Sequence, residues 1–222
     1  MDTGPGGLQK LYRQRFDEKS REAKQKLWEA IVGSFFQKYI RADDAVLDLG
    51  CGFGEFLNHV RCRRRIGIDL NTDVAGSLQN GIEFHAGDVC NLAAVADATV
   101  DVVFTSNLME HLASKEAVAK MIGEARRVLK PGGQFIAMGP NLRFVGGPYW
   151  DFWDHRIPIT DRSLAELLGS LDFKILERRP RFLPYTTKSA LPQAPWLVRL
   201  YLKLPFAWSL FGKQFLLRAL KP

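Results

Sequence analysis

The chain has 222 residues, enough for one sizeable α/β domain and short for two. Hydrophobic content of 46% with 25% charged residues excludes general disorder. The three cysteines (Cys51, Cys62, Cys90) form no CxxC pair or Cys/His cluster, which excludes a disulfide framework and a structural zinc site. The net charge of +7 is unevenly placed: Arg178 to Pro222 holds nine Lys or Arg and no acidic residue, which leaves −2 on residues 1–177. Such asymmetry points to an anionic partner for the C-terminal part, a membrane surface or a phosphorylated substrate, or else to a solvated basic face.

The first residues, MDTGPGG, read as a flexible leader. The first 30 residues are charged throughout and no apolar signal core follows, so the expected compartment is a reducing cytoplasm. From Leu8 to Ile40 apolar residues such as Leu27, Ile31, Phe35 and Tyr39 recur at helical intervals. Residues 1–43 are thus read as an N-terminal helical segment and 44–222 as the main domain. Short β-type runs follow at 45–50 (AVLDLG), 65–70 (RIGIDL), 82–87 (IEFHAG), 101–106 (DVVFTS) and 133–139 (GQFIAMG), alternating with helical segments. Lys115–Leu129 reads as a helix closed by Lys130-Pro131-Gly132-Gly133. A helix is expected near Asp161–Gly169, a sixth strand at 173–179 and a seventh in KQFLLRALKP. Insertions at about 140–160 and 183–211 interrupt this order. Strands alternating with helices imply an α/β, doubly wound parallel sheet.

The segment VLDLGCGFGEF sets Gly50, Gly52 and Gly54 at the first strand-to-helix turn, where such folds bind ligands at the carboxyl end of the sheet. A dinucleotide loop wants GxGxxG, but Glu55 stands where the third glycine would fall, and Asp48 precedes the loop. Carboxylates on both sides repel a pyrophosphate and suit a ligand with an ammonium or sulfonium group. Asp69 ends the second strand 19 residues after Gly50, placed to accept hydrogen bonds from both hydroxyls of a ribose. Asp88 follows the third strand, placed either to meet an adenine amino group or to cap the next helix.

In these residues the chain resembles the class I S-adenosylmethionine-dependent methyltransferases. The likeness covers about residues 44–140 and rests on VLDLGCGFGEF, GIDLN, GDV, DVVFTSNLMEHL and ARRVLKPGG in that order. It implies a Rossmann-like, three-layer fold with seven strands, the last antiparallel. It also implies S-adenosylmethionine as cofactor, S-adenosylhomocysteine as product, and no metal. By the same resemblance Asp48, Gly50, Cys51, Gly52 and Gly54 cradle the methionine part, and Asp69 with Leu70 holds the ribose. Asp88 and Val89 would border the adenine, with Asn107 under the methyl donor.

The acceptor is less legible. An acceptor hydroxyl needs a base, and the candidates are His111 after strand four, with Glu110 to orient it, and His155 with Asp151 and Asp154 nearby. His111 reads equally as pocket wall, and the aspartates as partners of Arg156 or a helix cap. GPYWDFWDHRIPIT leaves strand five beside the methyl donor, so Tyr149, Trp150, Phe152 and Trp153 offer faces for a sugar while Asp154 and Arg156 bond hydroxyls. The same rings could instead pin the loop to the core. In 194–211, Trp196, Leu197, Leu200 and Leu204 repeat at helical spacing with Arg199 and Lys203 on another face, which fits a core-facing helix or a peripheral membrane contact. YWDFWDH, RFLPYT and GKQFLLRALKP resemble a bacterial subgroup of surface-glycan biosynthesis, which agrees with this segment and implies a glycan, lipid-linked saccharide or small-molecule acceptor. Nucleic acid, suggested by a pI near 9.4, is disfavoured because TSNLMEHL lacks the Pro-Pro-aromatic signature of DNA amino-methylation. A non-catalytic scaffold and a nicotinamide oxidoreductase are the remaining readings.

Overall fold

The computed structural model describes residues 18–185 and 194–222. The leader, the start of the expected Leu8–Ile40 helix and residues 186–193 of the second insertion lie outside the described residues.

Seven strands form one sheet: β1 (Ala45–Leu49), β2 (Arg64–Asp69), β3 (Ile82–Ala86), β4 (Val100–Ser106), β5 (Leu129–Pro140), β6 (Lys174–Arg179) and β7 (Gln214–Leu220). Their order is β3-β2-β1-β4-β5-β7-β6. β1 to β5 pair in parallel, and β7 runs antiparallel to both β5 and β6. The fold is the expected Rossmann-like three-layer arrangement. β1 is buried along its whole length, as a central strand covered on both faces must be. β6, at the edge, alternates between exposed and half-buried positions.

The helices are α1 (Glu18–Ser34), α2 (Lys115–Val128), α3 (Leu142–Val145), α4 (Asp161–Ser170), α5 (Pro195–Leu202) and α6 (Pro205–Phe211). α2 and α4 bury Met121, Ile122, Leu164 and Leu168 on one face of the sheet. α1, a 3-10 turn at Phe36–Tyr39, α5 and α6 cover the other. Ser114 caps α2 by accepting from Ala117 N–H, and Thr160 caps α4 through a reciprocal bond pair with Ser163. The first three crossovers are turns and a short 3-10 segment rather than the expected helices. Helical winding cannot begin at residues 50–54, where three glycines hold positive φ. Lys130-Pro131-Gly132-Gly133, read as a helix stop, falls inside β5, whose register against β4 shifts between Val100 and Val102.

α5 turns a different face inward from the one its spacing suggested. Leu202 is buried and Val198 and Tyr201 pack on the second core, whereas Trp196 and Leu200 are exposed. The register is set by Tyr201, whose hydroxyl donates to the Phe182 carbonyl at 2.6 Å, and by Trp208, whose indole donates to the Tyr201 carbonyl at 2.9 Å.

An aromatic cluster joins α1 to the sheet and to the loop after β1. Phe56 stacks on Phe104 of β4 at 3.8 Å, Phe36 meets both edge-on, and Trp28 meets Phe104 edge-on at 6.2 Å. Phe36 is fully buried. Phe36→Ala should destabilise the fold by about 3–5 kcal/mol, read as a lower midpoint in urea unfolding followed by circular dichroism.

Candidate functional site

Gly50, Gly52 and Gly54 have φ of +71°, +50° and +78°, which L side chains avoid. A Cβ on Gly50 would also meet the Leu108 side chain at 2.8 Å. The turn feeds backbone donors to the end of β2. Gly50 and Cys51 N–H donate to the Ile68 carbonyl at 2.9 and 3.1 Å. Gly52 N–H donates to Asp69 Oδ2 at 2.9 Å, while Asn71 N–H donates to Oδ1 at 2.8 Å. Asp69 is thus locked in place with one lone pair on each oxygen left for a ligand.

Acidic groups gather under this loop. Burial, reinforced by Glu55 and Asp69, pushes the Asp48 carboxyl well above the carboxylate range. Asp69 is also raised, by burial and against the two N–H bonds. Glu55 is held by Lys24 of α1 at 2.7 Å. The Cys51 thiol is buried and raised, so it is a packing group and not a nucleophile.

One cleft is lined by Gly50, Asp69, Leu70, Asn71, Asp88, Val89, Asn107, Leu108, His111, Leu112 and Asp154. It lies at the carboxyl ends of the parallel strands. Asp88 caps no helix, since none follows; its Oδ1 accepts from Cys90 N–H at 2.9 Å to close a turn. Asn107 holds φ +51°, a conformation asparagine tolerates, with its side-chain amide on Ser106 Oγ at 2.8 Å. Of the loop residues expected to cradle the cofactor, Gly50 lines the cleft, whereas Asp48, Cys51, Gly52 and Gly54 are not among its lining. Asn71, Leu108 and Leu112 were not anticipated as lining. Asn71 stands inside the GIDLN motif, so the signal for it was present, whereas the two leucines read as ordinary core.

The second half of the cleft is an ionisable cluster. His111 Nδ1 lies 3.1 Å from Asp154 Oδ2, and Nε2 lies 3.9 Å from Glu110 Oε1. The His155 ring stands edge-on to His111 at 4.8 Å. Burial opposes charge on His111, but the Asp154 bond and the Glu110 and Asp154 carboxylates outweigh it, so its pKa is raised. Burial raises Glu110, with His111 opposing. Glu110, His111 and His155 each offer one ligand atom, all within 4.8 Å of one another. They could close on a divalent cation, with Asp154 as the carboxylate behind His111, a grouping that the expectation of no metal left aside.

The aromatic loop divides. Tyr149 is fully buried and its hydroxyl donates to the Ile157 carbonyl, so neither ring face is open to a ligand. His155 is buried with Phe152 stacked on it at 5.0 Å, and Asp154 is buried beside His111. Arg156 N–H and Ile157 N–H both donate to the Glu110 carbonyl, at 2.7 and 3.2 Å, tying the loop to the end of β4. Trp150 and Trp153 point to solvent, as do Asp151 and Arg156. Among the described residues no hydrogen bond or ion pair joins Asp151 to either histidine it was expected to assist.

Residues 47–137 match the family model described as a methyltransferase domain. The chain is 30% identical over 139 residues to "Probable methyltransferase ltbC" of Aspergillus luteorubrus, covering 55% of this chain and 49% of the relative. It is 32% identical over 139 residues to a protein of Mycolicibacterium smegmatis named as a probable S-adenosylmethionine-dependent methyltransferase, covering 59% and 52%. The chain spans about half the length of these curated relatives. Among solved structures, a chain of "Complex between the Haloferax volcanii Trm112 methyltransferase activator and the putative methyltransferase" aligns with a TM-score of 0.68 and 17% identity, over 93% of this chain and 95% of the other. The fold is a methyltransferase fold.

A raised histidine pKa carries a sign. The charged form of His111 stabilises the folded chain fully below pH 6.5, and that contribution is lost as pH rises through the higher folded value. Asp154→Asn should therefore lower the His111 pKa, read from its ring Cε1–H shift by NMR. It should also flatten the fall in melting temperature on the alkaline side of that value.

Proposed function

We propose that this chain is an S-adenosylmethionine-dependent methyltransferase acting at a hydroxyl oxygen of a small molecule, a glycan or a lipid-linked saccharide, in a reducing cytoplasm. One observation carries the reading: Asp69, locked by two backbone N–H groups, shares a single cleft with the His111–Asp154 pair. The match of residues 47–137 to a methyltransferase domain supports it.

The residues fit the cofactor. Asp69 presents a fixed carboxylate to a ribose diol, and Leu70 and Val89 give apolar walls on either side of an adenine that Asp88 can meet. Gly50 lines the cleft with backbone alone, and the Asp69 carboxylate suits a positively charged ligand. The bound cofactor would supply an electrophilic methyl carbon on a sulfonium.

The chain's own task is then to orient the acceptor oxygen and remove its proton. Asp154 Oδ2 accepts from His111 Nδ1–H and fixes the ring, which leaves Nε2 to take the proton. Buried Glu110 stabilises the imidazolium that results, as it already does in raising the His111 pKa. In-line placement of the two reacting atoms supplies the remainder. The open faces of Trp150 and Trp153 and the Arg156 guanidinium are the groups left to receive a sugar. The nucleic-acid reading is weakened, because Arg178, Arg179 and Arg218 pair with Asp161 or Glu177, and Lys221 binds backbone carbonyls.

Calorimetry with S-adenosylmethionine and S-adenosylhomocysteine should show binding, weakened at least about tenfold by Asp69→Ala, since a charge-assisted hydrogen-bond pair is worth about 1.4 kcal/mol or more. Unchanged affinity in that variant would remove Asp69 from the site. In a screen of nucleotide-linked and lipid-linked sugars, His111→Ala should lose turnover with cofactor affinity intact. The wild-type rate should rise with pH through the raised His111 pKa, since only the neutral ring accepts a proton.

A further inference from the structure

Five of the nine exposed large hydrophobic side chains among the described residues lie on two consecutive short helices: Trp196 and Leu200 on α5, and Phe206, Leu210 and Phe211 on α6. Trp196, Phe206 and Leu210 are 66%, 67% and 66% exposed. The helices that carry them are not loosely held. Leu202, Ala207 and Trp208 on the inner side of the same helices are buried, and the Tyr201 and Trp208 hydrogen bonds fix both helices to the fold. A rigid, outward apolar face of this kind marks an interaction surface.

Charge identifies what covers it. Among the basic residues after Glu177, Arg178, Arg179, Arg181, Arg218 and Lys221 are engaged inside the fold. Arg199, Lys203 and Lys213 are exposed on or beside α5 and α6, with no ion pair among the described residues. No acidic residue occurs from Arg178 to Pro222. A second copy of this chain docked through the same face would set these cations against their own kind across a two-fold axis. A nucleic acid would find no use for five apolar side chains. A lipid surface takes both, with aromatic and aliphatic side chains at the level of the headgroups and cations against anionic phosphates.

We infer that the outer face of α5 and α6 docks this chain on an anionic lipid bilayer. No helix of the described residues is long and apolar enough to cross a membrane, so the contact is one of lying on the surface. Its position serves the cleft. α6 leads through Lys213, whose carbonyl accepts from Asn141 N–H at 3.0 Å, into β7, whose first residue Gln214 pairs with Pro140. The docking helices therefore join the sheet at the carboxyl end of β5, the end where the cleft opens and the aromatic loop departs. Docking holds that end of the sheet beside the headgroups. The inference stands on the surface alone and does not require methyl transfer.

The test is co-sedimentation of the full chain with vesicles of phosphatidylcholine containing phosphatidylglycerol, compared with phosphatidylcholine alone. The chain should sediment with the anionic vesicles, and raised salt should release it. Each surface cation is worth about fivefold in affinity, so the Arg199→Ala/Lys203→Ala double variant should bind on the order of twentyfold more weakly. Phe206→Ser/Leu210→Ser should lose at least about tenfold through lost apolar burial. Both pairs point outward, so an unchanged melting curve should accompany the loss. Failure of the wild-type chain to bind anionic vesicles overturns the inference, as does wild-type binding by both double variants. A dimer by light scattering that Phe206→Ser/Leu210→Ser splits, without vesicle binding, overturns it in favour of a second copy.

Discussion

Everything at the ligand end of the sheet depends on one backbone reversal. Between β1 and the rest of the chain the backbone passes through three positive-φ glycines, and this turns the Gly52 N–H back onto Asp69. A side chain at Gly50 would be strained in conformation and pressed against Leu108. The same turn delivers Phe56 to its stack on Phe104, so the loop that shapes the cleft is anchored by the aromatic core beneath it. α1 completes the anchor through Lys24 on Glu55 and through Gln25, whose amide donates to the Phe53 carbonyl at 2.9 Å. The N-terminal helical segment is thus bonded to the loop that carries the three glycines.

The His111 side of the cleft is built on a different principle. Buried ionisable groups there balance one another: Glu110, His111, Asp154 and His155 come from two segments more than forty positions apart in the chain. The loop that brings the second pair is held by main-chain bonds to Glu110 and by the buried Tyr149. A low-dielectric pocket strengthens each of these interactions. Burial alone would disfavour charge on His111, and the Asp154 and Glu110 carboxylates outweigh it, a property suited to the proton capture proposed for this ring.

The basic C-terminal part serves two ends. Some of its cations are spent on cohesion: Glu177 alone receives Arg179, Arg218 and the Tyr39 hydroxyl, linking β6, β7 and the turn after α1. Arg199, Lys203 and Lys213 are left on or beside α5 and α6, next to an apolar face. The uneven charge noted in the sequence thus separates into an internal network and an external surface only when the fold distributes it.

The strands, their alternation, the glycine turn and Asp69 were legible because each leaves a local mark: a β-branched apolar run, a glycine triplet, an acid at a strand end. Other features carry no local mark. Whether Tyr149 or Trp153 faces a ligand is decided by which ring the loop buries, and the sequence YWDFWDH presents both alike. The inward face of α5 is chosen by the Tyr201 and Trp208 bonds to distant carbonyls and not by its own spacing. The His111–Asp154 pair and the gathering of Glu110 and His155 around it arise from loop closure across the end of the sheet. Sequence by itself determined the succession of strands and the glycine turn with an acid after the next strand, because periodicity and turn chemistry are local. Only the tertiary structure decided the ionisable cluster and the exposed face of α5 and α6, because burial and pairing depend on what the rest of the chain brings alongside.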